Sequence, residues 1–110
     1  MRKFLAGLAL LAALAIPAVA MAANLHTDHV GTTCADGGTF HFVNNQTGGI
    51  LTPGTLTANF TGGTVVATAD HVNRGTQHWT IEAVGRLDGA STNLPGKLVL
   101  SDFTCEEKKK

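Results

Sequence analysis

Seven turn signals divide this chain beyond residue 36 into short pieces: Gly37-Gly38, Gly48-Gly49, Pro53-Gly54, Gly62-Gly63, Asn73-Arg74-Gly75, Asp88-Gly89 and Pro95-Gly96. Gly reaches positive φ without a steric cost and Pro fixes φ, so such pairs end regular structure. The runs between them are rich in Thr, Val, Phe, Ile and Leu, which suit a half-buried pleated surface and disfavour helix. No stretch beyond residue 22 carries helical periodicity. Short strands at these intervals predict an all-β domain, an immunoglobulin-like antiparallel β-sandwich of about seven strands.

Alternation assigns faces within several runs. In Thr39 to Val43, Phe40 and Phe42 share one side and His41 takes the other. In Thr55 to Thr61, Leu56, Ala58 and Phe60 oppose the threonines and Asn59. In Gln77 to Ala83, Trp79, Ile81 and Ala83 point inward while His78, Thr80 and Glu82 point out. Period 2 with one apolar face describes a sheet with one wet side. The expected core is therefore Phe40, Phe42, Leu56, Phe60, Trp79 and Ile81. Thr64 to Val72 is expected to pair with Thr55 to Thr61 through a Gly62-Gly63 hairpin, and Lys97 to Cys105 is a last strand whose consecutive Leu98, Val99 and Leu100 obscure its alternation.

Residues 1–22 read as an address. Arg2 and Lys3 precede an apolar run from Phe4 to Ile16, and Ala18-Val19-Ala20-Met21-Ala22 supplies small residues for a signal peptidase. This layout predicts a cleaved helical Sec-type signal peptide, too short to be a stable membrane span. The expected organisation is a signal over 1–22, a β-sandwich domain over 23–105 and a charged tail over 106–110, in a secreted or periplasmic protein. Cleavage after Ala22 leaves about 88 residues, enough for one adequate core.

Cys34 and Cys105 are the chain's two cysteines. An oxidising compartment predicts a disulfide between them rather than free thiols or half a metal site. Closing a loop of this length is worth roughly 4 kcal/mol by the chain-entropy argument, a large share of a typical stability of about 5–15 kcal/mol.

Beyond the signal, Arg74, Arg86, Lys97, Lys108, Lys109 and Lys110 face eight acids. That balance lacks the clustered cations nucleic acid requires. No second apolar stretch follows the signal, so no membrane association is expected after cleavage. Asn45-Gln46-Thr47 and Asn59-Phe60-Thr61 are glycosylation sequons only in a eukaryotic secretory host.

The pieces Gly38-Thr39-Phe40-His41-Phe42-Val43-Asn44-Asn45-Gln46 and Val72-Asn73-Arg74-Gly75-Thr76-Gln77-His78-Trp79 resemble small β-rich, immunoglobulin-like domains that recur in secreted and surface proteins of bacteria. The resemblance covers most of the chain beyond the signal. It implies a fold and a location, and no activity or site. The spacing of Cys34, Trp79 and Cys105 departs from the antibody pattern, in which the tryptophan closely follows the first cysteine.

Five histidines, His26, His29, His41, His71 and His78, are the candidates for chemistry. Imidazole suits Zn, Cu or Ni, and His26, His29, His41 and His78 form the candidate metal set. His26-Thr27-Asp28-His29 is compact. Cleavage after Ala23 instead would place His26 third from a free amine, a square-planar nitrogen set for Cu(II) or Ni(II), but it would put Met21 where a small residue is wanted. His41 and His78 lie on outward phases and would meet if their strands were neighbours. The competing reading is surface histidines with ordinary hydrogen bonds, and no cofactor.

Catalytic signatures are absent. Ser91 and Ser101, the only serines, sit in no nucleophile elbow, and Ser91 reads as a turn residue beside Ala90 and Thr92. Glu82 points outward and Asp88 belongs to an Asp-Gly turn, so no carboxylate pair is evident. The expected function is a secreted, non-catalytic binding or surface-interaction module for an unidentified protein or surface ligand, with extracytoplasmic Cu or Zn binding as the alternative.

Overall fold

The computed structural model describes residues 22–106. Residues 1–21 of the expected 1–22 signal, and residues 107–110 of the expected tail, lie outside the described residues. Seven strands follow in order: β1 (Ala23–Asn24), β2 (Thr33–Asn45), β3 (Thr55–Phe60), β4 (Gly63–Thr68), β5 (His71–Val72), β6 (Thr76–Thr92) and β7 (Lys97–Cys105). A single 3-10 turn, Thr27–His29, separates β1 from β2, and no α-helix occurs among the described residues.

The main path of hydrogen-bonded neighbours is β4-β3-β6-β2-β7, all antiparallel, with β1 and β5 also paired to β6. The 17-residue strand β6 serves two ladders. Its first part, Thr76 to Arg86, pairs with β2, and its second, Leu87 to Thr92, pairs with β3. Just before the handover lies Gly85, whose φ of +102° only Gly adopts without strain. A Cβ there would collide with the Thr61 hydroxyl, which accepts a 2.8 Å hydrogen bond from Arg86 N–H. On the far side, Leu25 bridges Leu98 and links β1 to β7.

The buried faces of the two ladders meet. Phe40, Phe42 and Trp79 from one, and Leu56 and Leu87 from the other, have no exposed surface, while Phe60 and Ile81 are each 5% exposed. Phe40 and Phe60 pack at 4.8 Å between centroids and 58° between planes, a tilted aromatic pair. Leu98 and Leu100 of β7 are buried with them. Cys34 and Cys105 are joined in a disulfide that ties the start of β2 to the end of β7.

Two expected turns are strand instead. Gly37-Gly38 lies inside β2, where the β2–β6 register shifts between Cys34 and Gly38. Asp88-Gly89 lies inside β6, where Phe60 pairs with Leu87 but Asn59 with Gly89, leaving Asp88 as the extra residue of a bulge. Arg86 Nε binds Asp88 Oδ1 at 2.8 Å across that bulge. Ser91, expected in a loop, is paired in β6 with Asn24 and Thr57. The β3–β4 hairpin turns on Thr61-Gly62, one residue earlier than expected, since Phe60 pairs with Gly63. The expected single strand from Thr64 to Val72 is two, because the chain leaves β3 after Thr68 and crosses to β6 at His71.

Candidate functional site

Three histidines gather on the outer face of the first ladder. β5 sets His71 directly opposite His78, and β2 sets His41 opposite Thr80, one diagonal step from His78. Side chains two residues apart on a strand share a face, so the three rings belong to one surface. His41 Nε2 and His78 Nδ1 are 3.0 Å apart. Their ring centroids are 5.1 Å apart with planes 20° from parallel. A centroid separation so much larger than the N···N distance means the rings meet edge to edge. The contact is therefore an N–H···N hydrogen bond, in which one ring donates and the other accepts. His71 stands edge-on to His78, with centroids 5.3 Å apart.

This arrangement favours a neutral His78. Partial burial, then the neighbouring His41 and His71, hold its pKa below the usual 6.5, and the Asp70 carboxylate opposes them. Asp70 is anchored in place: its Oδ2 accepts from Thr80 N–H at 2.8 Å and its N–H donates to His78 O at 2.9 Å.

His26 and His29 lie apart from this group, on the 3-10 turn. His26 caps it, with Nδ1 accepting from Asp28 N–H at 3.2 Å, and its ring lies 6.2 Å from that of His29 at 67°. The four candidate ligands thus divide into two pairs. His71, outside that candidate set, is the residue that joins His41 and His78. The hairpin closed by Asn73-Arg74-Gly75 carries its signal, since pairing Val72 with Gln77 puts His71 opposite His78. Among the described residues, no three His, Cys, Asp or Glu side chains converge as a metal site.

A second feature is the edge of the sheet at β4. The path ends there, with β3 as the only partner of β4 among the described residues. Ala69 N–H donates to Gly54 O at 2.9 Å, and residues 54 and 69 continue the β3–β4 register. In an antiparallel ladder, alternate residues turn their backbone groups toward the partner strand. Ala67, Val65 and Gly63 therefore bond inward to β3, and Thr64, Val66 and Thr68 direct N–H and C=O away from the sheet. All three are exposed, Val66 to 65%. β4 carries no charge, no Pro and no register shift, so it lacks the usual devices that blunt a strand edge.

The opposite edge is guarded. β7 is bulged where the register with β2 shifts between His41 and Phe42, it carries Asp102, and its start is covered by Leu25 and His26. Phe103 is 45% exposed and stacks on Phe40 at 6.0 Å. Beside the disulfide, Asp36, Glu82 and Glu106 line a shallow recess of about 220 Å³.

The conspicuous polar residues Asn44 and Gln77 are structural. Both are fully buried. Asn44 Oδ1 accepts from Thr92 Oγ1 at 2.7 Å, tying the two ladders together, while its Nδ2 donates to Pro95 O at 2.9 Å. Trp79 Nε1 donates to Gly54 O at 3.3 Å. The disulfide is consistent with an extracellular or periplasmic protein, and no helix among the described residues is long and apolar enough to cross a membrane. No family model, curated protein or solved structure matches this chain.

Proposed function

We propose that this is a secreted, non-catalytic β-module that works by binding another protein along its β4 edge. The open row of backbone groups at Thr64, Val66 and Thr68 carries this reading. Main-chain hydrogen bonds from an added strand supply affinity, and side chains on alternate faces supply selectivity. An immunoglobulin-like sandwich suits such a role, and it is supported by two antiparallel ladders that share β6 and bury facing aromatics. Export is supported by the tripartite signal pattern and the disulfide.

The test is amide hydrogen exchange on the protein recovered from an exporting host, with and without the host's other exported proteins. Slowed exchange at Thr64, Val66 and Thr68 is the expected result. Exchange unchanged by every exported fraction, or hydrolytic turnover that follows the pure protein, would overturn the reading.

A Cu- or Zn-binding role is the second reading, favoured by the 3.0 Å separation of His41 Nε2 and His78 Nδ1 with His71 alongside. Ligation would need the two rings to turn from their N–H···N bond until both nitrogens face one metal at ~2.0–2.1 Å. Titration with Cu(II) or Zn(II) tests it: stoichiometric uptake that H41A and H78A abolish, and H26A leaves intact, supports this site. No uptake excludes it.

A further inference from the structure

We infer that the strand received by the β4 edge is β4 of a second copy of this chain, paired antiparallel about a two-fold axis through Val66. This inference rests on the edge reading above and names its partner.

The register follows from which residues face outward. Thr64, Val66 and Thr68 hold the N–H and C=O groups that have no backbone partner among the described residues. Setting Val66 opposite Val66 of the second copy brings Thr64 opposite Thr68 and Thr68 opposite Thr64. Every outward rung then becomes a hydrogen-bonded pair, and each such pair exchanges two bonds. The same register places Val66, the most exposed large apolar side chain among the described residues, against its own copy. It also places threonine beside threonine, a favourable cross-strand pair. Val65 and Ala67, which pack against the core, meet each other on the inner face and extend it across the junction.

Self-pairing meets no electrostatic obstacle, because Gly63–Thr68 carries no charge to repel its duplicate. The competing self-contact, β4 on β7, meets Asp102 and the β7 bulge, and being head-to-tail it would propagate rather than close. An isologous β4–β4 junction closes at two copies and consumes both open edges.

The contact is small. Three rungs bury far less than the roughly 1,200–2,000 Å² of a stable interface, so the dimer is expected to be weak and concentration-dependent. Sedimentation equilibrium of the exported protein from about 10 μM to 1 mM tests for it, dissociation constants of tens to hundreds of micromolar corresponding to roughly 5–7 kcal/mol. The expected result is a monomer–dimer equilibrium with slowed amide exchange at Thr64, Val66 and Thr68 as concentration rises. V66K sets two ammonium groups across the two-fold axis, and V66P removes an outward N–H without touching the bonds to β3. Each is expected to weaken dimerisation about tenfold or more. L51K, at an exposed apolar residue of the 46–54 connection, is expected to leave it unchanged.

A monomer throughout the range overturns the inference, as does a dimer that neither Val66 variant weakens. A synthetic Gly63–Ala69 peptide separates the two levels of the argument. If the protein stays monomeric but the peptide slows exchange at Val66, the copy is wrong as partner and the edge reading stands. If neither dimer nor peptide protects Val66, both fall.

Discussion

The side-chain oxygen of Gln77 accepts a 2.7 Å hydrogen bond from the backbone N–H of Gly54, deep enough that Gln77 has no exposed surface. Its Nε2 donates at 3.1 and 3.0 Å to the carbonyls of Ile50 and Thr52. One buried amide on β6 thus satisfies three backbone groups of the 46–54 connection, and Trp79, two residues on, binds Gly54 O as well. That connection has no ladder of its own, so these bonds supply the partners its buried polar groups require.

Replacing Gln77 with Leu keeps the bulk and removes every partner. Gly54 N–H, Ile50 O and Thr52 O are left to find water or remain unpaired, each at about 1–3 kcal/mol. Q77L is expected to lower unfolding free energy by roughly 2–4 kcal/mol in urea melts and to speed exchange at the Gly54 amide. A loss below about 0.5 kcal/mol would mean that water replaces the amide at little cost.

The Cys34–Cys105 bridge joins residues 71 positions apart, with their Cα atoms 5.1 Å apart. Constraint of the unfolded chain over such a loop contributes roughly 4 kcal/mol, and its removal in small secreted domains costs about 2–5 kcal/mol. The C34A/C105A double variant is therefore expected to unfold at markedly lower urea concentration than the oxidised protein. Dithiothreitol is expected to shift the parent to a similar midpoint and leave the variant unmoved.

What was legible in the sequence is what depends on period 2. Phe40, Phe42, Trp79 and Ile81 share a phase with their neighbours, and all four are buried. The cysteine pair was legible from compartment and count. The glycine pairs misled at two of seven positions, because a bulge needs the same residue as a turn: Gly37-Gly38 and Asp88-Gly89 bend strands that continue. The length of β6 was hidden for that reason, and with it the sharing of one strand by two ladders. Asn44 and Gln77 were illegible as core residues, because their partners Thr92, Pro95 and Gly54 are distant in sequence and mostly backbone. Of the candidate site, the outward phases of His41 and His78 were readable. Their meeting depends on β2 and β6 being neighbours, which alternation alone does not decide.

His78 makes stability depend on pH in a definite sense. Burial and the two nearby rings lower its folded-state pKa below 6.5, so between that value and 6.5 the unfolded chain binds a proton that the folded chain does not. The resulting stability is complete above pH 6.5 and is lost as pH falls through the folded pKa. The effect is modest, since His78 is only partly buried. NMR titration is expected to find His78 ionising at lower pH than an unperturbed histidine. D70N is expected to lower its pKa further, by removing the carboxylate that favours the charged ring. A pKa at or above 6.5 would contradict the packing of the three rings.

Gly38 and Gly89 look alike in the sequence, each the second residue of a turn-like pair, yet alanine is expected to act on them in opposite directions. A Cβ on Gly38 would stand 2.5 Å from Thr104 O, 2.8 Å from Cys34 Sγ and 3.0 Å from Cys105 Cα. Two of those atoms are backbone and the third is held by the disulfide, so none can swing aside. G38A is expected to cost about 1–3 kcal/mol, as overpacking of a close-packed site does. Around Gly89 nothing lies within 4 Å of the added carbon, and its φ is not in the left-handed region. There alanine only removes conformational freedom from the unfolded chain, so G89A is expected to stabilise by about 0.4–1 kcal/mol. Urea melts of the two variants side by side read the difference. If both moved the same way, the close approach of β2 to β7 at the disulfide would not be what makes Gly38 necessary.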